Sequence, residues 1–176
     1  MKNLIYALLC AGAFVSISSC AYKQARNYNI ETNADQDGLA FIKNGLEGGL
    51  TEIKASGLAI TNSSNPRVLR LAKMMIEDHT AAENQLEKIK ADKDIITADP
   101  ISTEHMEMIH ALSEKKGADF DKAYVQVMVN DHEKAVALFA GGIRVNAPEI
   151  EDFATKTLPT IQMHLDSSKA ILASLK

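Results

Sequence analysis

The strongest constraint on the fold of this chain is a run of residues that steps by four and three without a break: Val68, Ala72, Met75, His79, Ala82, Leu86 and Ile89. That spacing puts all seven on one face of an α-helix. A second stripe of the same kind is Val125, Met128, His132, Ala135 and Phe139, and a third is Ala154, Leu158, Ile161, Leu165, Ser168, Leu172 and Leu175. An earlier one runs through Leu39, Ile42, Leu46, Leu50, Ile53, Gly57 and Ile60. No strand-type alternation of any length competes with these stripes. The expected class is all-α.

The punctuation between stripes sets the order of the helices. The first helix is expected from about Asp37 to Ile60, and a turn over Thr61 to Pro66 follows, with Asn65 as N-cap and Pro66 at the first helical position. The second helix reaches about Ala91. A long connection, Asp92 to Ala118, holds one short helix from about Ser102 to Lys115, which Gly117 is expected to end. Asp119 opens the third long helix and Gly141-Gly142 closes it. The fourth begins near Pro148, and Pro159 inside it is expected to produce a kink, at a cost of roughly 3 kcal/mol unless accommodated. Four long amphipathic helices with two short turns and one long connection describe a four-helix bundle of ferritin-like topology. An up-down-up-down bundle with a surface helix satisfies the same pattern.

The chain opens with the layout of a secretory signal over residues 1–19. Lys2 supplies the positive end, and Leu4 to Val15 form an apolar run too short to span a membrane. Ile17-Ser18-Ser19-Cys20 resembles a lipobox, in which the cysteine receives lipid and becomes the new N-terminus. Cys10 would then leave with the signal and Cys20 would be consumed as anchor, so no thiol remains for a disulfide or a zinc–thiolate site. Residues 20–36 are polar and aperiodic and read as a flexible tether, with the bundle domain over 37–176. Loss of Lys2, the one charge before Cys20, takes the formal net charge from −4 to −5. That mild acidity gives no basic footprint for nucleic acid. The expected place is the cell envelope, on the outer membrane and facing the periplasm.

The chemistry-bearing residues follow from an internal echo. Met75-Ile76-Glu77-Asp78-His79-Thr80-Ala81-Ala82 and Met128-Val129-Asn130-Asp131-His132-Glu133-Lys134-Ala135 share the pattern Met-x-x-Asp-His-x-x-Ala. Both histidines lie on a stripe that should face the core, at heights that agree within about one helical turn if the two helices run parallel. Glu52 is the candidate carboxylate, because it shares a face of the first helix with Phe41, Gly45, Gly48, Ala55 and Ala59, where small neighbours let another backbone come close. Glu47, flanked by Lys43 and Lys54, reads as solvent-facing. His164 sits at the edge of the fourth stripe, roughly eight residues or about 12 Å below His132 when counted from the turn. Either the Pro159 kink brings it up as a fourth ligand, or it forms a separate hydrogen bond with Tyr124, which the count favours. Asp78 and Asp131 are expected to orient ring nitrogens on neighbouring helices.

Other combinations are less coherent. Met precedes His by four residues at Met75/His79, Met106/His110 and Met128/His132, a spacing that suits Cu(I), although methionine in a stripe is ordinary core filler. Glu107 and His110 form the one Glu-x-x-His, on the short connecting helix. No phosphate loop, Ser-His-Asp order or His-Glu-x-x-His is present.

Taken together, these residues resemble the bacterial ferritin-like proteins catalogued as domain of unknown function 4142. The resemblance covers about Gly38 to Leu175. It rests on Glu52-Ile53, Met75-x-x-Asp78-His79, Phe120-Asp121-x-x-Tyr124 leading to Met128-x-x-Asp131-His132, and Leu158-Pro159-x-x-x-x-His164. It implies an exported helical bundle and no established activity. A ferritin-like di-iron site uses a Glu from each of two helices and a Glu-x-x-His from each of the others. Here Ile76 and Ile161 stand three before His79 and His164, so too few carboxylates converge for two hard ferric ions.

The expected function is therefore binding of one divalent transition metal, zinc or similar rather than copper or iron, by His79, His132, Glu52 and His164. The competing class is a structural or protein-interaction lipoprotein with a metal-free polar layer in its core, its protein partner undefined. A metal-dependent enzyme would need an open coordination position and a cleft. The anchor carries the first prediction: Cys20→Ala should move the protein from the membrane to the soluble fraction. Unchanged partitioning, with an unlipidated wild-type N-terminus by mass spectrometry, would contradict it.

Overall fold

Asn65 and Pro66 set the first boundary as the sequence suggests. The Asn65 Oδ1 accepts the Arg67 backbone N–H at 2.9 Å from an extended backbone, and Pro66 takes the first helical position, where a missing donor costs nothing. The computed structural model describes residues 33–95 and 101–175 of the chain. The signal over 1–19, Cys20 and the tether as far as residue 32 lie outside the described residues. Five helices follow in order: α1 (Asn33–Asn62), α2 (Pro66–Asp92), α3 (Thr103–Ser113), α4 (Gly117–Gly142) and α5 (Pro148–Leu172). No strand occurs among the described residues, and none of their helices is long and apolar enough to cross a membrane.

Three boundaries differ from expectation. The helix α1 begins at Asn33, inside the stretch read as tether. Gly117 does not close the short helix, which ends at Ser113. Its φ of +57° instead turns the chain into α4, two residues ahead of Asp119. The helix α5 continues through Pro159, which lies on the exposed face, where water can serve the carbonyl that its ring leaves without a partner.

Contacts between side chains fix the directions of the helices. An added Cβ at Gly45 would touch Leu86, and Glu52 meets His79, so α1 and α2 are antiparallel. Phe41 packs on Phe139 and Ser56 bonds Tyr124, so α4 is also antiparallel to α1. The Lys93–Glu149 and Asp78–His164 pairs set α2 against α5, and Phe139–Phe153 with His132–His164 sets α4 against α5. Each long helix thus has two antiparallel long-helix neighbours. The helices α2 and α4 run parallel, as a crossing connection requires, and α3 in that connection packs on α1.

The core is divided. One apolar cluster holds Ala59, Val68, Met75, Phe120, Val125 and Met128 among others, and the second holds Phe41, Ile42, Leu86, Phe139, Ile150 and Phe153. On every long helix the residues of the two clusters flank a buried polar residue: Glu52, His79, His132 or His164. Of the stripe expected on α1, only Ile42 and Leu46 are buried. Leu39, Leu50 and Ile53 are half-buried and Gly57 and Ile60 exposed, whereas Phe41, Glu52, Ala55, Ser56 and Ala59 are buried. The small-residue face wins because α1 has close neighbours on two sides, and small side chains permit that approach.

Tight packing at the Phe41 end yields a paired prediction. A Cβ at Gly142 would strike the Phe41 ring and lie 3.0 Å from Ala154 Cβ, within a buried aromatic cluster. Gly142→Ala should destabilise by about 1–3 kcal/mol through overpacking. At Gly57 nothing lies within 4 Å, so Gly57→Ala should stabilise by about 0.4–1 kcal/mol. Urea unfolding midpoints moving in the same direction for both would contradict this packing.

Candidate metal centre

His79, His132 and His164 come from three different helices and are 6 %, 0 % and 0 % exposed, with Glu52 on α1 at 3 %. The three imidazole centroids form a nearly equilateral triangle with sides of 5.4, 5.2 and 5.2 Å. One ligand atom from each ring lies within 4.8 Å of the other two. Around the triangle, Glu52 Oε2 is 2.9 Å from His79 Nε2, and Glu52 Oε1 is 3.2 Å from His132 Nδ1.

The partners of the ring nitrogens decide where protons sit. His132 Nδ1 faces two acceptors, the Met128 carbonyl at 2.9 Å and Glu52 Oε1, so it must donate. In the neutral ring Nε2 then carries the lone pair. His164 Nε2 donates to Asp78 Oδ2 at 2.9 Å, which leaves the lone pair on Nδ1. Those two remaining nitrogens, His132 Nε2 and His164 Nδ1, face each other at 3.2 Å. Two lone pairs at that separation repel unless a proton or a cation joins them. His79 adds a third nitrogen. Its Nε2 is close to Glu52 in distance, but the contact lacks hydrogen-bond direction, so this buried atom has no hydrogen-bond partner.

Burial and two carboxylates, Glu52 and Asp78, set the protonation of the group. Burial pushes His132 and His164 below the ordinary imidazole value, and Glu52 and Asp78 only partly offset it. His79 is pushed down by burial too, but the adjacent Glu52 charge outweighs this and raises it. Burial would raise Glu52, yet the positive charge available on His79 and His132 holds its carboxyl below the usual carboxylate value.

Most of the residues singled out from sequence meet here. Glu52, His79, His132 and His164 converge, and Asp78 orients the ring of His164. The expected gap of about 12 Å between His164 and His132 does not exist. Counting from the turn assumed that α4 and α5 end level, but Gly142, at the end of α4, meets Ala154, six residues into α5. That offset brings residue 164 beside residue 132 along antiparallel helices. Tyr124 does not pair with His164 and instead shares a buried hydrogen bond of 2.8 Å with Ser56. Asp131 orients no ring and accepts from Lys134 at 3.1 Å. Met75 and Met128 fill the apolar core, while Met106, Glu107 and His110 are exposed. Glu47 was read as solvent-facing, but its Oε1 accepts from the Ser102 N–H at 3.0 Å and pairs with His105 Nδ1 at 2.7 Å. No local signal marks a contact closed across more than fifty residues of chain.

The charge pattern fixes the sign of a pH experiment on metal-free protein. A raised His79 contributes stability that is fully present below its ordinary value of 6.5 and lost as pH rises through its folded value. A lowered Glu52 contributes stability that is present above 4.5 and lost as pH falls through its folded value. The pair therefore stabilises most between these two limits, while His132 and His164 oppose acidification below 6.5. In imidazole NMR titrations His79 should titrate above 6.5, and Glu52→Gln should lower its midpoint, since burial is then opposed by the Asp78 charge alone. A His79 midpoint indifferent to this substitution would overturn the assignment.

Comparison with solved structures places this geometry on a known fold. The crystal structure of a DUF305 fragment from Deinococcus radiodurans superposes with a TM-score of 0.71 at 19 % identity, covering 79 % of this chain and 97 % of that one. The putative secreted protein DUF305 from Streptomyces coelicolor is similar to it with a TM-score of 0.65 at 12 % identity, covering 78 % and 93 % respectively. At such identities the likeness is one of fold. No curated protein matches the sequence. The sequence pattern of one family, described as "Domain of unknown function (DUF4142)", matches residues 23–171, and the chain belongs to that family.

Proposed function

We propose that this protein binds one divalent transition metal, zinc or a close analogue, through His79, His132, His164 and one oxygen of Glu52. The observation that carries the proposal is the pair of buried ring nitrogens facing each other with their lone pairs, His132 Nε2 and His164 Nδ1, at 3.2 Å. With metal–ligand bonds near 2.0–2.1 Å, neighbouring ligands of a tetrahedral ion stand about 3.3 Å apart. The two nitrogens already have that spacing, and the longest separation in the triad, up to 4.8 Å, has to contract by about 1.5 Å. Glu52 Oε1 would orient His132 and leave Oε2 for the ion, while Asp78 would keep His164 in the right tautomer.

Three imidazoles and one carboxylate suit a borderline ion better than two hard ferric ions. Isoleucines at positions 76 and 161 stand where Glu-x-x-His motifs would place carboxylates, and Asp78 is engaged with His164, so di-iron oxidase chemistry forms no part of the proposal. The antiparallel neighbours, with α2 parallel to α4, support the reading of the long helices as a ferritin-like four-helix bundle. A signal over 1–19 and lipid on Cys20 would hold the domain at the outer membrane, facing the periplasm.

The competing reading is a metal-free polar layer in an interaction protein. The contacts of Glu52 with His79 and His132 favour it, although Tyr124 stands apart from that layer. Metal titration of protein purified without a His tag separates the two. We expect one Co2+ per chain with the visible spectrum of tetrahedral cobalt, and a rise in Tm, since a ligand that favours the native state stabilises it by about 2.7 kcal/mol at 100 times Kd. Binding should weaken below about pH 6, where imidazoles protonate. Absence of both stoichiometric binding and any metal-dependent Tm shift would favour the polar-layer reading.

A further inference from the structure

The polar layer is not sealed on all sides. A cavity of about 370 Å³ reaches it, with Glu52 and His79 at the inner end. Its walls are apolar, formed by Leu86, Phe139, Phe153 and Ile161, all less than one-tenth exposed. Its rim carries the exposed Asn44, Glu104 and Lys134, and α3 contributes Glu104 and His105, held in place by Glu47. A space of this size belongs to the small end of ligand pockets, with a greasy wall and a few convergent polar groups at one end.

The inner end specifies the chemistry of a ligand. His79 Nε2 is a buried polar atom that makes no directed hydrogen bond, although Glu52 Oε2 is 2.9 Å away, and it lies on a residue that lines the cavity. On the metal-bound reading above, on which this inference rests, a dication with three neutral imidazoles and one carboxylate retains one positive charge. A buried net charge is costly, so a singly anionic donor completes the site better than a neutral one. Zinc can expand from four to five ligands, and the side open to an incoming molecule here is the one facing the cavity. The rim selects against more heavily charged ligands, because Glu83 and Glu104 line the cavity while its Lys134 is already paired with Asp131.

We propose that the cavity binds a small monocarboxylate with an apolar chain, its carboxylate ligating the metal and its chain lying against Leu86, Phe139 and Ile161. Gly48 provides the means to test it. It lines the cavity, and a Cβ added there meets nothing within 4 Å, so a larger side chain enters the cavity without striking the helix neighbours.

The experiment titrates Co2+-loaded protein with octanoate, acetate and octanol while recording the cobalt visible bands. Octanoate should shift the bands and bind at least about 10-fold more tightly than acetate, because its chain buries apolar surface. Octanol should leave the bands unchanged. Gly48→Leu should bind Co2+ as the wild type does and lose the response to octanoate. Octanoate that leaves the bands unchanged, that binds no better than acetate, or that binds metal-free protein equally well overturns the proposal. So does an unaltered octanoate response in folded Gly48→Leu. If that variant does not fold, the wild-type comparison of octanoate with acetate decides alone. Failure of Co2+ to bind would remove the metal reading as well, whereas Co2+ binding without an octanoate effect removes this inference only.

Discussion

A single buried carboxylate organises the centre of this protein. Glu52 is 3 % exposed and reaches two imidazoles, His79 through one oxygen and His132 through the other. An ionised carboxylate in that position would be untenable alone, since burial without partners costs several kcal/mol. Its presence therefore requires the histidines, and it in turn decides their charge: His79 is drawn toward the protonated form, while His132 and His164 are kept neutral by burial. The result is a polar layer with a nitrogen-rich face, flanked along the bundle by an apolar cluster on either side and reached laterally by the cavity at Glu52 and His79.

The packing on both sides maintains this layer. At one end Phe41, Phe139 and Phe153 form an edge-to-face and tilted group, and Gly142 lets the Phe41 ring pass close to α4. The meeting of the same Gly142 with Ala154 marks the offset between α4 and α5, and with it the meeting of His132 and His164. At the other end, Tyr124 and Ser56 satisfy each other in the interior, and Met75 and Met128 fill the space beneath the histidines. Outside, Glu47 holds the first turn of α3 and so shapes the cavity rim.

Much of this was legible in the sequence because the signal was local and periodic. The stripes of α2 and α4 have the expected buried faces, and the repeated Met-x-x-Asp-His placed His79 and His132 on them at matching heights. Glu52 was legible through its small neighbours, whereas the hydrophobic stripe expected on α1 holds at Ile42 and Leu46 and fails from Leu50 onward. Leucine and isoleucine outweigh alanine and glycine in any hydrophobic pattern, but a helix with two close neighbours buries its small residues. His164 was misplaced for a different reason. Its level depends on how far α5 overshoots the end of α4, a property of tertiary packing with no trace in residue spacing. The Glu47–His105 contact was invisible on the same grounds, since it joins segments far apart in the chain.

The account turns on whether a metal sits among the three imidazoles. Anomalous diffraction at the zinc edge, from crystals grown with one equivalent of Zn2+, locates the ion without reference to any activity. The account predicts a single strong peak within about 2.0–2.1 Å of His132 Nε2 and His164 Nδ1, with His79 and a Glu52 oxygen completing the coordination. A map with no peak in the core, or with zinc only at exposed residues such as Glu107 and His110, would contradict it.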